Sequence, residues 1–505
     1  MARRRRRPAS GKKKPVETRR GPNESRWVLV FVAFAALRVL ASAAAFPFMG
    51  PVDETAHCDL VMKYSRGNIP HGLEHYSSEL AAATARYMCP EIYSPPLASV
   101  RWVPAVTPDA FRIAYAEKLD WAQQYVNKES AEPPLYYALA GLWLWLGRSL
   151  GLEGIGALYW VRALAAPAAA LLVWLGHLSA RRVFPESPVN RLAVPLLLAV
   201  FPQDTFYAIA PDMLSPLLFG LGFLGLLRSD APESRHSLSS AGTGLALAGA
   251  VLVKAANAPL VGVAGADALW RLRRLAREHG GRAVLPSAIV LLGCAALPVA
   301  AWLAWNHFRF GDWLGTAGKL KELGWTRKSP ADWWPHPLFS LGGLWTFWSG
   351  LMETFWRGEL IWHGQQLSHP ALDVFYAVSS AILPLVALLR LPPQREARHA
   401  LVVSAACLAS AVLFLAALSL AFDFGSSKYP SRAHPFFTSG RLLTGALVPF
   451  LLLYVHGLDR ALWFAAGELP RWLALVAIAS AITISEVWLD LGPLGSAFNI
   501  IHVAW

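Results

Sequence analysis

Apolar and polar positions separate along this chain into long blocks, not into the short alternation of a half-buried sheet. A helix rising about 1.5 Å per residue needs about 20 apolar residues to cross a hydrocarbon core of about 30 Å. Runs approaching that length recur near Trp27 to Met49, Leu158 to Ala180, Leu192 to Ile209, Met213 to Leu227, Gly242 to Ala256, Pro259 to Trp270, Ala283 to Trp305, Leu372 to Leu389, His399 to Ala421, Leu442 to Val455 and Trp472 to Leu489. They predict an all-α polytopic membrane protein of about eleven transmembrane helices, within a range of roughly 10 to 13. A further apolar stretch, Pro134 to Gly147, is only about 14 residues, too short to span, and reads as an interfacial or re-entrant helix.

Charge sets the orientation. Of the 505 residues, 55% are hydrophobic and 16% charged, which excludes an ordinary soluble domain, where about a quarter are charged. The net charge of +13 is mostly local, because the first 26 residues hold eleven Lys or Arg (Arg3 to Arg7, Lys12 to Lys14, Arg19, Arg20, Arg26) against Glu17 and Glu24. The remainder is close to neutral, so no nucleic-acid surface is expected. Lys and Arg collect in short loops on the cytoplasmic side. The tail, Arg181, Arg182 and Arg191, Arg228 and Arg235, Arg271 to Arg277, Arg390 to Arg398, and Arg460 with Arg471 therefore mark one inner face. Eleven crossings satisfy all of these and leave residues 50–156 as one outer loop containing interfacial helices. The apolar run after the tail is about 22 residues where a cleaved signal has 7 to 15, so an uncleaved anchor is expected. The chain divides into a basic cytoplasmic tail (1–26), a first transmembrane helix (27–49), the outer loop (50–156), a transmembrane bundle (157–305), a second outer region (306–371), C-terminal transmembrane helices (372–490) and an outer tail (491–505).

With that orientation, the residues suited to chemistry fall on the outer face. Asp53, Glu54 and His57 follow the first span; two carboxylates and an imidazole can act as general base or bind a divalent cation, while an N-cap Asp followed by Glu is the ordinary helix start. Glu132-Pro133-Pro134-Leu135-Tyr136-Tyr137 opens the short outer helix, with the tyrosines as ordinary interface anchors. Asp204 and Asp212 bracket the third and fourth spans, where a carboxylate is costly unless it faces a cavity, a metal or a partner. Lys254 and Asn257 reach the same side; a snorkelling lysine is the plain reading and an anion contact the sharper one. Trp302, Trp305, Asn306, Arg309, Phe310, Gly311 and Asp312 precede a second aromatic and charged outer segment with Trp345, Trp348, Glu353, Trp356, Arg357, Glu359, Trp362 and His363. Arg432, His434 and Ser439-Gly440-Arg441 bring cations that suit phosphate. Cys58 and Cys89 both lie in the first outer region, so a disulfide between them is expected, while Cys294 and Cys407 sit in spans as packing residues.

Taken in order, the Asp-Glu pair, Pro-Pro-Leu-Tyr-Tyr, a helix-entry Arg162, an outer Asp before the fourth span, Trp-x-x-Trp-Asn-x-x-x-Phe-Gly-Asp and the late Gly-Arg resemble the GT-C superfamily of polyprenyl-phosphate-dependent membrane glycosyltransferases. The likeness runs over nearly the whole chain and is nearest to its poorly characterised bacterial branch, related to protein O-mannosyltransferases and lipid A aminoarabinose transferases. The resemblance implies an inverting hexosyl or pentosyl transfer from a lipid-linked phosphate donor to an acceptor lipid, glycan or protein, at the outer face of a bacterial cytoplasmic (inner) membrane. It makes residues 50–156 a catalytic loop, with Asp53 as base or acceptor-orienting carboxylate and Glu54 beside it. Asp204 or Asp212 becomes the second acid, and Arg441 a donor-phosphate contact. His57, Glu132, Arg162, Lys254 and Asn306 complete the substrate-binding set, and a divalent metal would engage Asp53 and Asp204. Many relatives place Lys or His immediately before Pro-Pro-Leu; this chain has Glu132, which moves the donor contact to Lys254, Arg162 or Arg441. A transporter or flippase of lipid-linked sugars would instead show internal repeats and broken mid-membrane helices. A third alternative is an inactive envelope-assembly scaffold of the same fold.

Overall fold

The computed structural model describes residues 23–50, 53–92, 108–228, 236–425, 427, 429–464, 467–496, 498 and 499. Most of the predicted basic tail, Arg235 and the end of the predicted outer tail lie outside the described residues.

The first span forms helix α1 (Glu24–Ala45), followed by α2 (Glu54–Ser65), α3 (Ser78–Tyr87), α4 (Pro108–Gln124) and α5 (Leu135–Ser149). The bundle continues with α6 (Gly154–Ala163), α7 (Ala165–Val183), α8 (Pro188–Ala199), α9 (Leu214–Arg228), α10 (His236–Val253), α11 (Ala258–His279) and α12 (Gly281–Phe310). After a short α13 (Ala317–Glu322) come α14 (Leu341–Arg357), α15 (Pro370–Leu389), α16 (Arg395–Ala421), α17 (Leu447–Ala461), α18 (Leu469–Leu489) and α19 (Leu491–Leu494). Sheet is confined, among the described residues, to two antiparallel ribbons, Thr326–Arg327 on Phe422–Asp423 and Ile361–Trp362 on Gln365–Gln366.

The chain is thus an all-α polytopic membrane protein. Ten of the eleven predicted spans fall largely on helices, and the third does so in its first half. Among the described residues, seven segments are long and apolar enough to cross a membrane: Glu24–Ala45, Gly154–Val183, Gly281–Phe310, Pro370–Leu389, Arg395–Ala421, Gly440–Ala461 and Leu469–Leu489. Gly440–Ala461 occupies the middle of the bundle, where Leu447 through Gly457 are all buried, whereas only Leu291, Trp302 and Asn306 of α12 are. Around α17 the rings of Phe201, Phe355, Trp356, Tyr376, Phe450 and Tyr454 pack on one another, with Trp356 and Tyr376 stacked at 5.0 Å. Inside this apolar frame Arg38 of α1 is held by Glu486 of α18 at 2.5 Å and donates to the Ala199 carbonyl at 3.0 Å. An ion pair in such a setting persists only when both partners and their remaining hydrogen bonds are supplied.

Two predicted elements differ. The third span is helical only to Ala199, and residues 200–213 continue as a buried irregular segment with 3₁₀ turns at Asp204–Tyr207 and Pro211–Met213. Pro195, Pro202 and Pro211 interrupt helical hydrogen bonding there, and irregular backbone at this depth is tolerated because it is enclosed by protein. The second outer region is not merely an aromatic loop: α14 buries Gly343, Phe347, Leu351, Thr354 and Phe355 at helical spacing. The arginines read as inner-face markers gather at the opposite end of the bundle from Asp53. Arg182, Arg271, Arg274 and Arg395 line one cavity of about 250 Å³ there, and Arg182 pairs with Glu396 at 3.0 Å.

Candidate active site

The corner between α1 and α2 is built by a buried clamp. Glu54 is fully buried, and its carboxylate accepts from Arg162 Nε at 2.8 Å, Arg162 Nη2 at 2.7 Å, and the backbone N–H groups of Met49 at 2.8 Å and Ile209 at 3.0 Å. Arg162 spends its other donors on the carbonyls of Ala43, Phe46 and Pro47 at 2.9, 2.6 and 3.1 Å, satisfying acceptors left open where α1 ends. Its guanidinium also lies 4.0 Å from the centre of the Phe48 ring. All four acceptor directions of Glu54 are therefore taken by the fold itself.

That clamp fixes Asp53 at the head of α2 with φ of 62° and no side-chain cap bond. A left-handed Asp that does not cap its helix is not the ordinary helix start. Its carboxylate instead pairs with Arg441, which enters from the segment preceding α17. Burial pushes the Asp53 carboxyl up, but Arg441, His57 and Lys319 together outweigh burial and hold it at about 2. His57, one turn along α2, is pushed down to about 4 chiefly by burial, so its ring is neutral at pH 7 and shares a 2.8 Å hydrogen bond with Tyr137 Oη. Tyr136 and Tyr137 are accordingly buried, not interface anchors, because they face α2 from the first turn of α5.

A cation from a remote part of the chain reaches the segment before the Pro-Pro pair. Lys319 on α13 donates to both oxygens of Glu129 at 2.9 and 2.8 Å and to Glu132 at 2.9 Å. Its position follows from the end of α12. Gly311 leaves that helix with φ of 77°, and Asp312 then accepts from the backbone of Leu314 and Ala317 at 2.7 Å each, starting α13. Asn306, 1% exposed, abuts the same turn at Gly315. Burial raises Glu129 to about 7 against the pull of Lys319, whereas for Glu132 the same lysine and the Glu129 hydrogen bond overcome burial and hold it at about 2.

Asp212 is wholly buried and pairs with Lys254, whose Nζ also lies 3.5 Å from the Arg441 carbonyl. Lys254 is 6% exposed and does not snorkel. Its neighbour Asn257 turns away from this cluster, donating to Ser215 Oγ and the Ala250 carbonyl at 2.8 Å each. Asp204 accepts from the Glu359 N–H at 2.9 Å, and its other oxygen has no hydrogen-bond partner. Burial, then the neighbouring Glu359, pushes Asp204 up to about 7; burial likewise raises Glu359, which accepts from Ser439 Oγ. Gly358 makes this approach possible: it has φ of 90°, and a Cβ there would fall 1.8 Å from Asp204 Oδ1.

The structure thus brings Asp53, His57, Glu132, Asp212, Lys254 and Arg441 into one cluster, with Asp204 at its edge beside Glu359. Glu54 and Arg162 brace it from below, and Asn306 from the side. Lys319, Glu129, Tyr137 and Glu359 belong to the cluster and were not singled out as its members from the sequence; the Phe-Gly-Asp turn leading into α13 was the available signal for Lys319. Arg432 is bound to Asp423 at 3.0 Å near the ribbon of residues 422–423, apart from this cluster.

The residues do not fit the metal pair expected at Asp53 and Asp204. Asp53 is paired with Arg441, and Asp204 accepts from the Glu359 N–H. Among the described residues, no group of three or more His, Cys, Asp or Glu is arranged to hold a metal ion. The expected disulfide is corrected as well: Cys58 and Cys89 are free thiols, because Cys58 packs under α5 while Cys89 packs with Ile92 and Trp362 in a separate cluster.

No family model matches the sequence, and no curated protein does. Among solved structures, the chain is similar to ArnT from Cupriavidus metallidurans bound to undecaprenyl phosphate, at 14% identity over 94% of this chain and 74% of that one, with a TM-score of 0.46. The same protein in the apo state matches at 13% identity over the same shares, with a TM-score of 0.45.

Proposed function

We propose that this chain is an integral membrane glycosyltransferase that moves a sugar from a polyprenyl-phosphate donor to an acceptor hydroxyl with inversion, on the outer face of a bacterial cytoplasmic membrane. The observation that carries this reading is the gathering, at one end of a membrane-spanning bundle, of three cations from three separate segments: Arg441 on Asp53, Lys254 on Asp212, and Lys319 on Glu129 and Glu132. The arrangement suits a reaction that removes a proton at one point while negative charge grows on a departing phosphate at another. In the single displacement, the acceptor oxygen forms a bond to the anomeric carbon as the bond from that carbon to the phosphate oxygen breaks. The acceptor proton passes to Asp53, and the charge released on the polyprenyl phosphate is met by Arg441 and Lys254.

The Asp53–Arg441 pair orders these events. With Arg441 engaged, Asp53 at about 2 is a poor base at neutral pH. A donor phosphate competes for the same guanidinium, so donor binding loosens the pair and raises the basicity of Asp53 when an acceptor can use it. Glu54 and Arg162 act as positioning residues in this scheme, since their donors and acceptors are consumed by the α1–α2 corner. The outer-face placement rests on the distribution of Lys and Arg, whose loops occupy the opposite end of the bundle.

The test is transfer in membranes supplied with polyprenyl-phosphate sugars. Asp53→Asn is expected to lower the rate by about 10²–10⁴-fold, the span typical of a lost general base, with the protein folded and in the membrane at wild-type level. Undiminished transfer by Asp53→Asn overturns the assignment.

A further inference from the structure

At the far end of α2 from Asp53, about 16 Å along the helix, a second cavity of about 640 Å³ opens between α2, α3, α5 and α6. Its floor is apolar, made of Met62, Ala83, Leu144, Ala157 and Leu158 among others. Its rim carries Arg66, Arg86 and Arg148. Arg66 Nε donates to Glu79 at 2.8 Å, and Arg148 pairs with the other oxygen of the same carboxylate while donating to Ser65 Oγ at 2.8 Å. Two guanidinium groups thus share one acid, and the three arginines of the cavity outnumber its two carboxylates, Glu79 and Glu153. Arg86 lies over the Phe111 ring at 4.2 Å, and Glu153 lines the side where α6 begins.

The level of the cavity defines what it meets. It reaches Gly154, the first residue of the span Gly154–Val183, and so sits where a crossing helix leaves the hydrocarbon. Trp145 lines it and is 54% exposed, next to Leu142 at 61%, so the apolar floor is continuous with a surface that faces lipid. A cation-rimmed apolar groove at headgroup depth is complementary to an amphiphile with an anionic head.

We propose that this groove binds a membrane phospholipid of net negative headgroup, with its phosphate on Arg66 and Arg148 and an acyl chain along Leu144, Ala157 and Leu158. The site is separate from the Asp53 cluster and does not depend on the chain being a transferase.

The test is native mass spectrometry of the full chain in detergent, titrated with phosphatidylglycerol, with phosphatidylcholine of the same acyl chains, and with a polyprenyl phosphate. The wild type is expected to retain phosphatidylglycerol in preference to phosphatidylcholine. Arg66→Gln with Arg148→Gln is expected to lower that retention by about a hundredfold, roughly tenfold for each of two lost charged hydrogen bonds. Ala82→Leu, which narrows the groove and keeps every arginine, is expected to reduce retention as well and serves as an independent variant should the double substitution fold poorly. Equal retention of the two phospholipids by the wild type, or undiminished retention by both variants, overturns the proposal. So does a loss confined to polyprenyl phosphate, which would make the groove a carrier-lipid site.

Discussion

At the scale of single residues, Glu54 and Asp53 are adjacent carboxylates with opposite tasks, and their surroundings separate them. Removing one partner of a buried, hydrogen-bonded pair leaves an uncompensated charge, at a cost of about 3–5 kcal/mol. Arg162→Met should therefore lower the unfolding temperature in detergent markedly, whereas Arg441→Gln, whose partner Asp53 is 38% exposed at its side chain, should leave it nearly unchanged while abolishing transfer. Asp204 gives a pH signature. Its folded pKa of about 7 lies above the ordinary 3.8, so its contribution to stability is complete below about 4 and is lost as pH rises through 7. Asp204→Asn should flatten the decline of the unfolding temperature between pH 4 and 7; a decline as steep as in the wild type would assign the effect to Glu129 or Glu359. Adjacent sequence positions could not distinguish Asp53 from Glu54, because the distinction is made by Arg162 and Arg441, which lie 108 and 388 residues away.

At the scale of elements, the long apolar runs were legible and their interruptions less so. Span existence depends on composition over about 20 residues, which the chain displays openly. Where the third span breaks depends instead on what surrounds residues 200–213. Gln203, for example, donates to the carbonyls of Thr354 and Phe355 at 3.0 and 2.8 Å, which holds the irregular segment against the end of α14. That helix was hidden for a related reason: its many Trp suited an interfacial loop equally well, and only its packing partners separate the readings. The junction between the two segments depends on Gly358. Gly358→Ala should displace Asp204 and reduce both stability and transfer, with the larger loss in transfer, measured side by side in the same membrane preparation. For α13, Lys319→Met should raise the apparent Michaelis constant for the polyprenyl donor, and Lys319→Arg should restore part of it; an unchanged constant in both would remove the lysine from donor binding.

At the scale of the whole molecule, the fold class and the gathering of Asp53, Asp212, Lys254 and Arg441 were readable because positive charge sorts loops independently of any site. The contact of Lys319 with Glu129 and Glu132 was not, since it depends on how a loop between α12 and α14 returns over the first one. The pairing of Cys58 with Cys89 failed for the same reason, as nearness in sequence and a shared face do not put two thiols in one packing cluster. Arg38→Met should weaken the bundle as a whole, lowering the unfolding temperature without altering donor affinity in the folded fraction. The same pair has a consequence for synthesis. Glu486 is made 448 residues after Arg38, so a ribosome has delivered nearly every other described helix before α1 receives its counter-charge. A chain halted before α18 would carry the entire candidate site and the Ala199 and Phe201 carbonyls that Arg38 bonds, yet lack the one carboxylate that neutralises this arginine within the bundle.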